Sequence, residues 1–100
     1  MPYFLCRLNP PRPTFALDMT DEEQQLMGRH AEHWGARMQE GRAILFGVVG
    51  DPQGPWGMGV LEADDEDDAQ AFTAQDPVIR AGAGFGYDVF PMPNVVVAPG

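Results

Sequence analysis

The sequence predicts an α+β domain, with two helices laid on one face of a four-stranded antiparallel sheet. Three observations lead there. Four short apolar runs are bounded by Pro and Gly clusters, which is how strands read. One long stretch repeats apolar residues at helical spacing, and a shorter acidic stretch opens a second helix. The resulting order is β-α-β-β-α-β, and right-handed crossovers put both helices on the same face. At 100 residues, a single domain is expected.

Residues 3–8 (Tyr-Phe-Leu-Cys-Arg-Leu) read as the first strand. Asn9, Pro10, Pro11 and Pro13 end it and make a stiff connector. Thr20 and Glu23 then have the spacing of a capping box, and Asp21 and Glu22 suit the positive end of a helix dipole. The helix should run to about Glu40 and stop at Gly41. Its apolar stripe is Met27, Ala31, Trp34 and Met38. At about 100° per residue, His30 falls at the edge of that stripe. His33 falls further round, where it should be more exposed.

Residues 43–49 are apolar almost without a break, the pattern of a strand buried on both faces. Residues 50–55 (Gly-Asp-Pro-Gln-Gly-Pro) make a turn. Residues 56–63 follow as the third strand, with Trp56, Met58 and Val60 on one face and Gly57, Gly59 and Leu61 on the other. The acidic run 64–68 loads the positive end of a short helix that carries Ala69, Ala71 and Phe72. Asp76-Pro77 opens a helical turn closed by Gly82, and residues 85–92 form the last strand, interrupted at Pro91. In the tail, residues 93–100, Val95-Val96-Val97 offers a further edge strand. No repeat or linker divides the chain, so residues 1–100 are expected to fold as one unit.

This is the ferredoxin-like βαββαβ pattern, which leaves one sheet face bare. Whichever side is bare reads as apolar: Tyr3 and Leu5 oppose Phe4, Cys6 and Leu8 in the first strand, Phe85, Tyr87 and Val89 oppose Phe90 and Met92 in the last, and the second strand is apolar on both sides. Such a face exceeds the patch a soluble monomer normally exposes. A second copy, packed sheet against sheet, is expected to cover it.

Charge narrows the function classes. Fifteen acidic residues face six arginines and no lysine, for a net charge of −9, and no two arginines are adjacent. Nucleic acid and anionic membranes need a clustered cationic surface, so neither is an expected partner. Cys6 is the only cysteine, which fits a reducing cytoplasm and excludes an internal disulfide. The N-terminus lacks the apolar length of a signal peptide, and no apolar run approaches the roughly 20 residues of a membrane span. The absence of serine excludes a serine triad.

The residues that bear chemistry are His30 and Asp76. A helix-borne imidazole and a loop carboxylate that met would make an oriented base for proton transfer. Each has a plainer explanation. His30 could bond a backbone carbonyl, and an aspartate before proline is what an N-cap looks like. Tyr3, Trp34 and Phe46 would supply apolar walls, and Arg80 or Arg7 could bind an anionic group of the substrate. His33 has helical i, i+3 spacing from His30, but no second ligand cluster accompanies them, so no metal is expected. Gly82-Ala-Gly84-Phe-Gly86 precedes a strand rather than a helix and is not a dinucleotide loop. No cofactor is called for.

Several stretches together carry a family likeness: Met27-Gly-Arg-His30-Ala-Glu-His33-Trp34, the Gly41 to Gly47 segment, Asp51-Pro-Gln-Gly54, Asp76-Pro77, Ala81-Gly82 and Phe90-Pro-Met92. In their order and spacing the chain resembles the YciI-related family, small proteins of the dimeric α/β-barrel class. The resemblance implies a ferredoxin-like homodimer with a cleft between helices and sheet. It also implies a His–Asp pair falling on His30 and Asp76. A few relatives resemble enzymes that act on ring-cleavage or chlorinated hydroquinone intermediates by elimination or isomerisation. The chain departs from the pattern at His33, where an aromatic residue often sits, and in lacking an Asp-Gly-Pro-Phe element of one branch. Two functions are therefore expected as alternatives: a cofactor-free enzyme for proton transfer on a small metabolite, or a non-catalytic module for ligand binding or assembly.

Overall fold

The computed structural model of the chain describes residues 2–99. The elements are β1 (Tyr3–Asn9), α1 (Phe15–Asp18), α2 (Asp21–Gln39), β2 (Ala43–Val49), β3 (Trp56–Glu62), α3 (Glu66–Ala74), α4 (Pro77–Arg80) and β4 (Gly86–Met92). The sheet is antiparallel with strand order β2-β3-β1-β4. This is the α+β, ferredoxin-like arrangement that the element order predicts. Among the described residues, no helix is long and apolar enough to cross a membrane.

Strand register sorts the side chains. Cys6 lies opposite Gly59 on one side and Val89 on the other, and Leu8 lies between Gly57 and Tyr87. These residues share the helix-covered face, where Phe4, Cys6, Trp34, Leu61, Ala69 and Phe72 form the core. The opposite face carries Leu5, Met58, Val60 and Phe90, one beside another, and no helix covers it.

The predicted capping box starts α2: the Thr20 side chain accepts from the Glu23 N–H, and the Glu23 side chain accepts from the Thr20 N–H. Arg12 then ties the proline-rich connector to this first turn. Its guanidinium grips both Glu23 oxygens at 2.7 and 2.8 Å, and its Nε donates to Asp18 at 2.7 Å. The Arg12 guanidinium also holds the Glu23 carboxyl down at about 2. The clamp explains α1, a turn of helix within the connector that the sequence pattern did not announce. It carries Phe15 inward to meet Phe85 edge-on, with ring centroids 5.1 Å apart.

Two expectations need correction. The inward side of α2 is rotated from the predicted stripe: Ala31 and Met38 are exposed, while His30, His33 and Arg37 flank the buried Trp34. Polar side chains can face inward when their hydrogen bonds are made, and each of these three finds a partner, Asp76, Phe72 and Asp68 respectively, although the Arg37 Nε itself is buried without one. The second correction concerns β2, which is not buried on both faces. It is an edge strand within one chain, leaving Val48 73% and Leu45 44% exposed. In the tail, residues 93–99 carry no strand, and Gly100 lies outside the described residues.

Candidate functional site

Asp76 is fully buried, and its two oxygens have different partners. Oδ1 accepts the Val78 N–H at 3.1 Å, making Asp76 the N-cap of α4 with Pro77 as the first helical residue. Oδ2 accepts from His30 Nδ1 at 2.7 Å and from the Tyr87 hydroxyl at 2.6 Å. The Tyr87 oxygen in turn accepts the Trp34 Nε1–H at 2.9 Å. His30 and Trp34 stand one helical turn apart on α2 and so project together. Tyr87 comes from β4, on the helix-covered face.

Burial alone would raise the Asp76 pKa. The hydrogen bonds from His30, Tyr87 and the Val78 N–H outweigh it and hold the carboxyl below its ordinary 3.8. The group is therefore a carboxylate at neutral pH and only accepts. Burial, and then the hydrogen bond to this carboxylate, pushes the Tyr87 phenol well above its ordinary 10, so it stays a donor. Because its partner only accepts, His30 Nδ1 carries a proton. In the neutral imidazole Nε2 would then carry the lone pair, and it has no protein hydrogen-bond partner among the described residues.

His30 opens on a cavity of about 230 Å³ between α2 and the β2–β3 side of the sheet, roofed by the connector and α1. Leu8, Met27, Phe46, Val48, Phe15 and Phe85 supply most of its walls, and His30 is the one titratable residue in its lining. The His30 and Phe46 rings meet edge-to-face, 6.3 Å between centroids.

The residues singled out from the sequence separate here. His30 and Asp76 are in contact, and Phe46 lines the cavity. Trp34 lies deeper, buried over Gly59 and bordering only a gap of about 10 Å³ beneath His30. Tyr3 is on the uncovered face of the sheet, and Arg80 is an exposed residue of α4; neither lines the cavity. Arg7 stacks 4.3 Å over the Trp56 ring in a neighbouring groove. His33, expected to be more exposed, stacks on Phe72 with centroids 4.2 Å apart and donates Nε2–H to the Phe72 carbonyl at 2.8 Å. It ties α2 to α3. No group of three or more His, Cys, Asp or Glu among the described residues could hold a metal ion. Of the two strand glycines, Gly57 lines the cavity, whereas Gly59 makes room for the Trp34 indole.

Sequence reasoning missed Tyr87. The signal was present: Tyr87 alternates with Val89 on the inward side of its strand, and a buried phenol needs a hydrogen-bond partner. The connector residues Phe15 and Met19 gave no such signal, because their approach depends on the Arg12 clamp.

The family model described as YCII-related domain matches residues 3–93. The chain belongs to the YCII-related domain family. A search of the curated proteins finds no match to it. In this YCII-related protein the matched span runs from β1 to β4 and includes His30, Asp76 and Tyr87.

Proposed function

We propose that this YCII-related protein is a small cytoplasmic homodimeric enzyme that moves a proton on a small, uncharged aromatic or enolic metabolite, by elimination or isomerisation. The observation that carries this reading is His30. Its Nδ1 is fixed on a buried carboxylate, and the residue opens on an apolar cavity that contains no other titratable side chain. A volume of about 230 Å³ is below the common range for ligand sites, roughly 300–1,000 Å³. It suits one ring or a small fused pair of rings. The apolar walls and the net charge of −9 disfavour an anionic ligand.

In the step itself, His30 Nε2 takes a proton from a substrate carbon. The C–H electron pair forms a new double bond. In an elimination the leaving group departs with its own bonding pair. In an isomerisation the pair moves into a conjugated carbonyl, and the same imidazolium returns its proton to a different carbon. Asp76 stabilises the imidazolium formed in between. The step needs no cofactor.

A neutral aromatic carbon acid, 5-nitrobenzisoxazole, tests this directly: removal of its ring C–H proton breaks the N–O bond and releases a coloured phenolate. The protein should accelerate that release, and His30→Ala should abolish the acceleration. An unchanged rate in the variant would rule out His30 as the base. A second reading, a ligand-binding module without turnover, is favoured by one observation: Asp76 is already accounted for as the cap of α4. Binding of small aromatics without acceleration of the probe by the wild type would select it.

The homodimer is supported by the uncovered sheet face, on which Phe90 is 49% and Leu45 44% exposed. Light scattering should give twice the chain mass, with Phe90→Asp shifting the protein to monomer. A single wild-type species of 10.9 kDa would contradict it.

A further inference from the structure

We infer that Tyr87 is the positioning residue of the His30–Asp76 pair, with Trp34 fixing the direction in which the Tyr87 hydroxyl donates. The inference rests on the reading of His30 as a base. A carboxylate oxygen that met only an imidazole would leave the ring free to rock about a single hydrogen bond. Here Oδ2 is held from two sides, by His30 Nδ1 at 2.7 Å and by the Tyr87 hydroxyl at 2.6 Å. The hydroxyl has one proton and could turn elsewhere. Trp34 Nε1, a donor only, approaches its oxygen at 2.9 Å and so occupies an acceptor site. The one remaining proton is thereby directed onto Asp76.

The chain Trp34–Tyr87–Asp76–His30 joins α2 to β4 and returns to α2, one helical turn away. Indole and imidazole are thus rigidly spaced by the helix, and the phenol and carboxylate close the loop between them. Rotation of the imidazole, which would turn Nδ1 away from Asp76, breaks the loop. Burial keeps the phenol protonated, so the arrangement persists across the working range of pH. The titratable groups facing Tyr87 are Asp76 ahead of α4, His30 on α2 and Cys6 on β1. Cys6 is pushed up to about 12 by burial and stays neutral.

The hydroxyl also sets how strongly Asp76 holds the imidazolium. Every hydrogen bond donated to the carboxylate spreads its charge. Removing the Tyr87 donor leaves more charge for His30, so the protonated imidazole is favoured and the acid limb of the rate profile moves to higher pH. A more acidic phenol does the opposite.

The test uses the full chain and 5-nitrobenzisoxazole, comparing wild type, Tyr87→Phe, His30→Ala and a protein with 3-fluorotyrosine in place of Tyr87. Tyr87→Phe should lower kcat about 10- to 100-fold with KM unchanged, the size of loss that follows misorientation of a reacting group. Its acid limb should move up in pH, and that of the fluorinated protein should move down. A residue needed only for packing would not shift the limb in opposite senses. If Tyr87→Phe does not fold, the fluorinated protein, equal in shape within one atom, still gives the sign. Wild-type kinetics and limbs in both Tyr87 proteins, with His30→Ala inactive, would overturn the role of Tyr87 and leave the base intact. Activity unchanged in His30→Ala, or absent in the wild type, would remove the base itself and this inference with it.

Discussion

Adding one methyl group at Gly59 should be enough to disturb both the core and the site. A Cβ there would collide with Trp34 Cη2 and lie 2.6 and 2.8 Å from Cζ3 and Cζ2, where carbon atoms ordinarily stay about 3.5–4.0 Å apart. The indole must therefore retreat by about 1 Å. It has little freedom to do so. It is fully buried, edge-on to Phe72 at 5.0 Å between centroids, and bonded through Nε1 to Tyr87 at 2.9 Å. Overpacking of this kind costs about 1–3 kcal/mol. Losing the Trp34–Tyr87 hydrogen bond as the ring moves adds about 1 kcal/mol. At about 4–8 °C per kcal/mol for a domain of this size, Gly59→Ala should melt roughly 10–30 °C below wild type. Thermal unfolding followed by circular dichroism reads this, and a urea titration gives the free energy independently. Gly57→Ala is the matched control. Its nearest neighbour is Leu8 Cβ at 3.1 Å, a much smaller overlap than at Gly59, so the loss should be clearly smaller, about 1 kcal/mol. A Gly59→Ala protein melting within about 2 °C of wild type would refute the account of why this strand has a glycine there.

Gly28, on the exposed side of α2, has nothing within 4 Å of a built Cβ, so Gly28→Ala should stabilise by about 0.8–1 kcal/mol through helix propensity; a lowered melting temperature would contradict that. Acid should unfold the protein partly through Asp76. Its folded pKa lies below the ordinary 3.8, so the unfolded chain binds its proton first; the stabilisation is complete above that value and is lost as pH falls below it. Asp76→Asn should flatten this part of the stability curve, and an unchanged acid slope would argue against the hydrogen bonds assigned to the carboxylate. At the other extreme, the Tyr87 phenol is raised above 10. Unfolded chain then loses this proton first, stability falls as pH climbs past 10, and Tyr87→Phe should fall less steeply over the same range.

Element order was legible because each local signal agreed with the next. Thr20 and Glu23 start α2, Pro77 and Asp76 start α4, and the alternation of Gly57, Gly59 and Leu61 against Trp56, Met58 and Val60 fixed the faces of β3. The phase of α2 was not legible. Hydropathy ranks Ala31 and Met38 above His30 and Arg37, yet the helix turns the polar pair inward, because acceptors from α3 and from the loop before α4 await them. Those acceptors are 31 to 46 positions away in sequence, beyond the reach of any periodicity. The same limit hid β2. A nearly unbroken apolar run reads alike in the middle of a sheet and at its edge, and only strand order distinguishes them. The His30–Asp76 contact is a third case. The residue types suggested it, but Tyr87 was overlooked because an inward tyrosine among apolar neighbours looks like ordinary core.

Asp76 also determines which variants can speak to function. It is at once the cap of α4 and the anchor of His30. Asp76→Ala would leave three donors, the Val78 N–H, the Tyr87 O–H and the His30 Nδ1–H, without their acceptor. Stranded groups of this kind cost about 1–3 kcal/mol each, against a total stability of about 5–15 kcal/mol for a small domain. Loss of activity in that variant would therefore report unfolding as readily as chemistry. His30→Ala is different. Asp76 keeps two of its donors, and the vacated space joins a cavity that already exists. The imidazole can be removed at modest cost to the fold because it borders that cavity, and the packing it gives up there is its edge-to-face contact with Phe46. If His30→Ala instead proved as destabilising as Asp76→Ala, the imidazole would be a structural strut, and the absence of any protein partner at Nε2 would lose its functional meaning.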